Sequence, residues 1–140
     1  MTRFINIYVK DSCAYIVSLV EGKTSGMIEV PPVHLVHDIN DSIEVWKTFQ
    51  DSLNTVNVDQ PDVSGATVLE RYFKISSFKE AYTGVRLVSF REIEGYGKYL
   101  YPNKLVKKAY ISLQPIALGN NYDEIEFVAG FRKALDNSLS

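Results

Sequence analysis

A chain of 140 residues, 46% of them hydrophobic, fits a single domain, 1–140, built around one sizeable core. Its one cysteine, Cys13, excludes a disulfide framework within the chain, and no apolar run approaches the length of a membrane span. The net charge of −2 is unevenly spread: residues 1–62 carry four bases against nine acids, a net of −5, and residues 63–140 carry eleven against eight, a net of +3.

Residues 4–9 and 13–20 are rich in β-branched and aromatic side chains, and the polar Lys10-Asp11-Ser12 between them predicts a hairpin turn. Residues 22–26, from Gly22 to Gly26, form a second turn before a strand through Met27, Ile28 and Val30. Pro31-Pro32 ends that strand or places it at a sheet edge, since neither residue can donate to a ladder. Asp41 and Glu44 have capping-box spacing and open a helix whose apolar face is Val45, Trp46, Phe49, Leu53 and Val56. Residues 57–64 are polar and predict a loop. Residues 66–73 suit a helix or a strand, with the helix favoured by Leu69, Tyr72 and Phe73 together.

Ser77-Phe78-Lys79-Glu80 repeats the capping-box spacing and starts a short helix that Gly84 can stop. The period then changes to two. Residues 85–93, 98–101 and 105–113 read as three strands of a meander, turning at Gly95-Tyr96-Gly97 and at Pro102-Asn103-Lys104. Asn121 or Asp123 caps a last helix with a face of Ile125, Val128, Ala129, Arg132 and Leu135, and Phe127 and Phe131 alongside. Two runs of strands, each followed by helix, predict an α+β fold: a twisted, mostly antiparallel sheet with its long helices on one side and a helix at the C-terminus. The first ten residues lack the basic, apolar and small-residue regions of a signal peptide, so the expected location is the cytoplasm.

No nucleophile elbow, phosphate loop or dinucleotide fingerprint occurs, so no enzymatic activity and no cofactor are expected. Cys13 sits in an apolar, strand-like setting that suits a small hydrophobe. His34 and His37, the two histidines, fall on opposite faces of a strand and read as loop residues, and no metal site is expected. Glu92 and Glu94 share a strand face but adjoin an exposed turn, where solvated carboxylates are the plain reading.

Two surfaces stand out. Between residues 38 and 62 six acids, among them Asp38, Asp41, Glu44 and Asp51, face Lys47 alone; this is either a solvated helix face or a surface for a basic partner. Lys98, Tyr99, Tyr101, Lys104, Lys107, Lys108 and Tyr110 mix cations with rings and include no intervening acid. That is the composition of a single-stranded nucleic-acid platform, although Tyr99 and Tyr101 share a strand face that Lys98 does not, and tyrosines on a sheet face are also ordinary core.

The stretch from Ser77 through Glu80, Gly84 and Arg86 to Ser89-Phe90 resembles an element of the CdiI-type immunity proteins of bacterial contact-dependent growth inhibition: a short helix running into a strand of basic, apolar, apolar and Ser residues. Tyr101-Pro102, residues 109–113 and Gly130-Phe131-Arg132-Lys133-Ala134-Leu135-Asp136-Asn137-Ser138 continue the likeness, which covers roughly residues 77–138. Phe78 departs from it, standing where the family has Trp. The resemblance implies a cytoplasmic, non-catalytic antidote that binds the C-terminal toxin domain, commonly a nuclease, of a CdiA-type effector. It also implies a fold similar to the Whirly single-stranded-DNA-binding proteins. A nuclease grips phosphates with cations, so Asp38, Asp41, Glu44 and Asp51 are the expected toxin-facing residues. Under the alternative, Tyr99, Tyr101, Lys104, Lys107 and Lys108 bind nucleic acid.

Overall fold

Strands rich in β-branched and aromatic residues build the sheet, and the computed structural model describes residues 2–21, 26–54, 67–75 and 77–140 of the chain. In chain order these hold β1 (Arg3–Lys10), β2 (Cys13–Glu21), β3 (Met27–Val36), α1 (Ser42–Asn54), α2 (Val68–Phe73) and α3 (Phe78–Tyr82). They continue with β4 (Arg86–Ile93), β5 (Gly97–Val106), β6 (Ala109–Ser112), β7 (Ile116–Leu118) and α4 (Glu124–Asn137). The strands form one open sheet in the order β3-β2-β1-β4-β5-β6, with β7 also on β5, and every strand pairing is antiparallel. The predicted α+β class with a mostly antiparallel sheet is the fold observed.

Strand periodicity sends Ile5, Ile7, Val9, Ile16, Val88, Phe90 and Leu100 to one face, where α1 and α4 cover them with Val45, Phe49, Phe127, Phe131 and Ala134. The Phe49 and Phe127 rings stack with centroids 4.0 Å apart, and Phe90 meets Phe49 edge-on at 5.0 Å. Gly130 lies where α4 presses on the sheet: a Cβ there would meet Leu100 Cδ1 at 3.1 Å and Leu118 Cδ2 at 3.3 Å. The opposite face is covered over part of its area by α2 and α3, through Val68, Leu69, Ala81 and Tyr82 against Tyr8, Val17 and Leu87. The long helices therefore share one side, as expected.

Several local readings change. Of the two readings of Pro31-Pro32, joined by a cis bond, the edge placement holds and the strand end does not. The pairing passes from Ser18↔Val30 to Ile16↔His34, so the prolines sit in a bulge on the sheet's edge strand, where no further strand needs their donors. His34 thus lies in a strand, and His37 just beyond it. Pro102-Asn103-Lys104 is not a turn but the middle of β5. The Pro102 carbonyl accepts from Leu113 N, so the residue's missing donor faces the break between β6 and β7, and no ladder bond is lost. The turn comes instead at Lys107-Lys108, with Lys107 at φ +58°, and residues 105–113 divide between β5 and β6. The face of α4 is rotated from the predicted one. Phe127, Phe131 and Ala134 are buried with Val128 and Leu135, whereas Ile125 is 78% exposed. Apolar residues ring much of this helix, and the face carrying two phenylalanines buries the greater area.

Caps account for the helix ends. Thr67 and Glu70 form a complete capping box on α2, which resolves residues 68–73 as helix; Ser77 Oγ accepts from Glu80 N at α3, and Asp123 accepts from Glu126 N at α4. The predicted turn at 22–25, the loop at 57–64 and Val56 lie outside the described residues. After α4 the chain returns to the sheet: Leu139 N donates to Asn103 O, Leu105 N donates to Leu139 O, and Ser138 Oγ donates to Leu87 O. This tail pairs with β5 at Lys104, beyond Pro102, where the pairing of β4 with β5 stops.

Buried Asn103 ties these pieces together. Its Nδ2 donates to Leu87 O, Tyr101 O and Ser89 Oγ at 3.0–3.1 Å, and its Oδ1 accepts from Ser112 Oγ. Asn103→Leu should lower stability by about 1–3 kcal/mol, since buried carbonyls lose donors without gaining solvent. Urea unfolding checks this, as a lower midpoint with an unchanged slope.

Candidate partner-binding surfaces

The acidic surface is organised by the start of α1. Asp41 Oδ1 accepts from Ile43 N and Glu44 N, both at 3.1 Å, and so caps the helix. Glu44 reaches back further than a capping box requires: its Oε2 accepts from His37 N and lies 2.9 Å from His37 Nδ1, while its Oε1 accepts from Asp38 N at 3.1 Å. These bonds hold the Glu44 carboxyl below its ordinary value, the backbone bond from His37 being the largest cause. Asp38 accepts from Asn40 N through Oδ1, and Cys13 Sγ donates to His37 O at 3.4 Å. Asp38, Asp41 and Asp51 are exposed and Glu44 half-buried. Of the four acids predicted to face a partner, Asp41 and Glu44 therefore also carry structural duties, and Asp38, Asp41 and Glu44 come together at one end of α1.

The tyrosine and lysine set is divided. Tyr99 and Tyr101 share the face away from α1 and α4, with ring centroids 6.2 Å apart and the Tyr99 hydroxyl donating to Tyr96 O. Tyr110 shares that face but packs against Tyr8 and Tyr82 and donates to Val85 O. Lys98 and Lys104 project from the other face. Lys98 is held by Asn120 O and lies over the Tyr122 ring at 5.4 Å. Lys107 and Lys108 occupy the turn after β5. Glu92 pairs with Arg3 at 2.7 Å, and Glu94 stands beyond the end of β4. Among the described residues no group of three His, Cys, Asp or Glu side chains is placed to hold a metal ion. No described helix is long and apolar enough to cross a membrane.

Sequence reasoning missed a polar strip across the face that carries Tyr99 and Tyr101. Glu29 Oε2, on β3, accepts from Asn6 Nδ2 at 2.7 Å and from the Tyr8 hydroxyl at 2.5 Å. Asn6 Oδ1 accepts from Ser89 Oγ and Arg91 Nη2, both at 3.1 Å, and Ser89 leads on to Asn103. Arg91 lies flat on the sheet: its Nη1 donates to Ile5 O and Phe90 O, and its guanidinium sits 4.8 Å from the centroid of the Phe4 ring. The signal was available, because Asn6 and Tyr8, like Ser89 and Arg91, stand two apart inside otherwise apolar strands.

Burial raises the Glu29 carboxyl above its ordinary value of 4.5, outweighing the bonds from Asn6 and Tyr8 and the attraction of Arg91 and Arg71. A raised native value makes the folded state hold the proton more tightly than the unfolded chain. The stability this confers is complete below 4.5 and is lost as pH rises through the native value. Glu44 has the opposite sign, its contribution being present above 4.5 and lost as pH falls through the depressed native value. In thermal melts between about pH 3 and 7, Glu29→Gln should gain on the parent chain as pH rises, and Glu44→Gln should lose. Drift of both variants in the same direction would contradict these assignments.

No protein-family model matches the sequence, and no curated protein matches it. Solved structures similar in fold include the following two. One is the protein of unknown function NMB0488 from Neisseria meningitidis, with a TM-score of 0.72 at 15% identity over 99% of this chain and 96% of that one. The other belongs to the CdiA-CT/CdiI toxin and immunity complex from Yersinia pseudotuberculosis, with a TM-score of 0.68 at 12% identity over 99% of this chain and 98% of that one. At such identities the likeness is one of fold, and it runs from end to end: this chain has the fold of a component of a toxin and immunity complex.

Proposed function

We propose that this chain is a CdiI-type immunity protein, which binds the C-terminal toxin domain of a cognate CdiA-type effector in the cytoplasm and neutralises it without catalysis. The observation that carries this reading is the full-length fold match to a component of the Yersinia pseudotuberculosis toxin and immunity complex. The resemblance of residues 77–138 to that family, in residue types and element order, points the same way. An antidote needs a rigid scaffold carrying a specific surface, and a sheet clamped by two long helices supplies one.

The acidic end of α1 suits a toxin that handles nucleic acid. Such a toxin is cationic where it grips phosphates, and Asp38, Asp41 and Glu44 at this end, with Asp51 towards the other end of the helix, offer carboxylates for those cations. Their contribution is steering and orientation, which salt screens. The alternative, binding of single-stranded nucleic acid, has one feature in its favour, the shared face of Tyr99 and Tyr101. Lys104 projects from the opposite face, so that lysine does not join the two rings in one track.

The first test is co-expression with the C-terminal domain encoded by the reading frame just upstream of this gene, followed by affinity capture and growth measurement. Stable capture with growth rescue is the expected result, and capture of nucleic acid alone, released by salt, would overturn the reading. For the contact surface, Asp38→Lys with Asp51→Lys is the informative pair, because Asp41 and Glu44 also hold the helix start. Association with the toxin domain should slow several-fold at low salt and converge with the parent rate at high salt. Unchanged rates at low salt would remove the acidic surface from the interface and leave the antidote reading intact.

A further inference from the structure

Among the described residues, one end of the sheet presents an apolar face that no helix covers. Along β5, Leu100 and Pro102 lie beneath the helical layer, and Lys104 and Val106 continue the same face at two-residue steps. The layer stops short of them because α4 ends at Asn137 and Ser138 turns the chain onto the sheet, its Oγ donating to Leu87 O and to Ala134 O. Register then sets the neighbours. Lys104 pairs with Ile111 on β6 and with Leu139 of the returning tail, and Val106 pairs with Ala109. Leu139, Lys104 and Ile111 form one row, with Val106 in the next. Leu139 is 52% exposed, Ile111 53% and Val106 38%.

Three aliphatic side chains grouped around Lys104 on one sheet face differ from singly scattered ones, which every protein surface carries. Cations adjoin them. Lys104 lies within the patch, Lys107 and Lys108 form the adjoining turn, and among the described residues none of the three makes an ion pair. An apolar centre bordered by unpaired cations is the pattern of a protein interface complementary to an acid-rimmed apolar surface. Base stacking is not available here, since Tyr99 and Tyr101 project from the other face. The aromatic side chains that anchor proteins at a bilayer surface are absent from the patch.

We infer that Val106, Ile111 and Leu139, with Lys104, Lys107 and Lys108 around them, form a second docking surface for the toxin domain, one that receives an apolar patch bordered by carboxylates. This rests on the antidote reading and adds to it. The surface is separate from the acidic start of α1 and opposite to it in charge, so a partner fitting both must carry patches of both signs. That requirement fixes its orientation and excludes partners complementary to one patch alone.

The test uses the full chain and the C-terminal domain encoded by the upstream reading frame, with binding followed by surface plasmon resonance. Val106→Ser with Ile111→Ser should weaken binding at least tenfold, mainly through faster dissociation. Lys104→Glu with Lys107→Glu and Lys108→Glu should instead slow association at low salt. All five positions are exposed or rim sites, and matching thermal melts would show that the fold is kept. If the parent chain binds and both variants bind with parent constants, the second surface is overturned while the antidote reading stands. If the parent chain does not bind the domain, the reading itself fails and takes this inference with it. Sedimentation with phosphatidylglycerol vesicles provides a further arm. Binding by the parent chain that the variants lose, with toxin affinity unchanged, would reassign the patch to an anionic membrane and overturn the protein partner.

Discussion

The stack of Phe49 on Phe127 over Phe90 is the contact on which the rest of the molecule depends. It is where α1, α4 and the centre of the sheet meet, and the rings fill that junction with large buried areas that no exchange of smaller side chains would match. Its consequences reach both proposed surfaces. Holding α1 down by Phe49 places the start of that helix, with Asp41 and the Glu44 to His37 link, at a defined position beside the end of β3. Holding α4 down by Phe127 and Phe131 sets where that helix runs out, and so which part of β5 is left uncovered. Gly130 belongs to the same junction, since close approach to Leu100 and Leu118 leaves no room for a larger side chain without displacement.

Much of the architecture was legible because it rests on local signals. Capping residues marked the starts of α1, α3 and α4, runs of β-branched and aromatic residues marked β1 and β2, and alternation marked β4. The failures share a cause, which is that proline and helix faces take their meaning from neighbours distant in sequence. Pro102 reads as a turn residue until β6 and β7 are known to break opposite it, and the choice between strand end and edge strand at Pro31-Pro32 is made only when β3 is known to be an edge. The face of α4 was ambiguous for a similar reason. Ile125, Val128 and Leu135 and the face led by Phe127 and Phe131 both satisfy a 3.6-residue period, and only the packing against α1 and the sheet selects between them.

The candidate surfaces were less legible than the fold. The charge imbalance between residues 1–62 and 63–140 was visible in the sequence, but it became two surfaces only when topology put α1 and the β5–β6 end in different places. Composition made Tyr99, Tyr101, Lys104, Lys107 and Lys108 look like one set. The pleat separates the tyrosines from Lys104, and the turn carries the other two lysines away. The apolar members of the second surface could not have been found at all from sequence. Val106 and Ile111 look like core positions, and Leu139 joins them through a single pairing with a residue 35 positions earlier.

The polar strip explains how one sheet can serve both as a core layer and as a specific scaffold. Asn6, Ser89 and Asn103 are buried side chains on β1, β4 and β5, and among the described residues no buried side-chain nitrogen or oxygen lacks a partner. A fully satisfied chain of such groups adds little net stability over apolar replacements, but it penalises any slip in strand register, because a shift of one residue would bury Asn6 and Asn103 among the phenylalanines. The register so enforced is the one that lines Leu139, Lys104 and Ile111 in a row at the far end of the sheet. A binding surface made of side chains from a strand, an edge strand and a returning tail has no local structure of its own to hold it together. Its geometry is inherited from the polar strip, through Asn103 and the Ser138 turn that donates to the same Leu87 carbonyl.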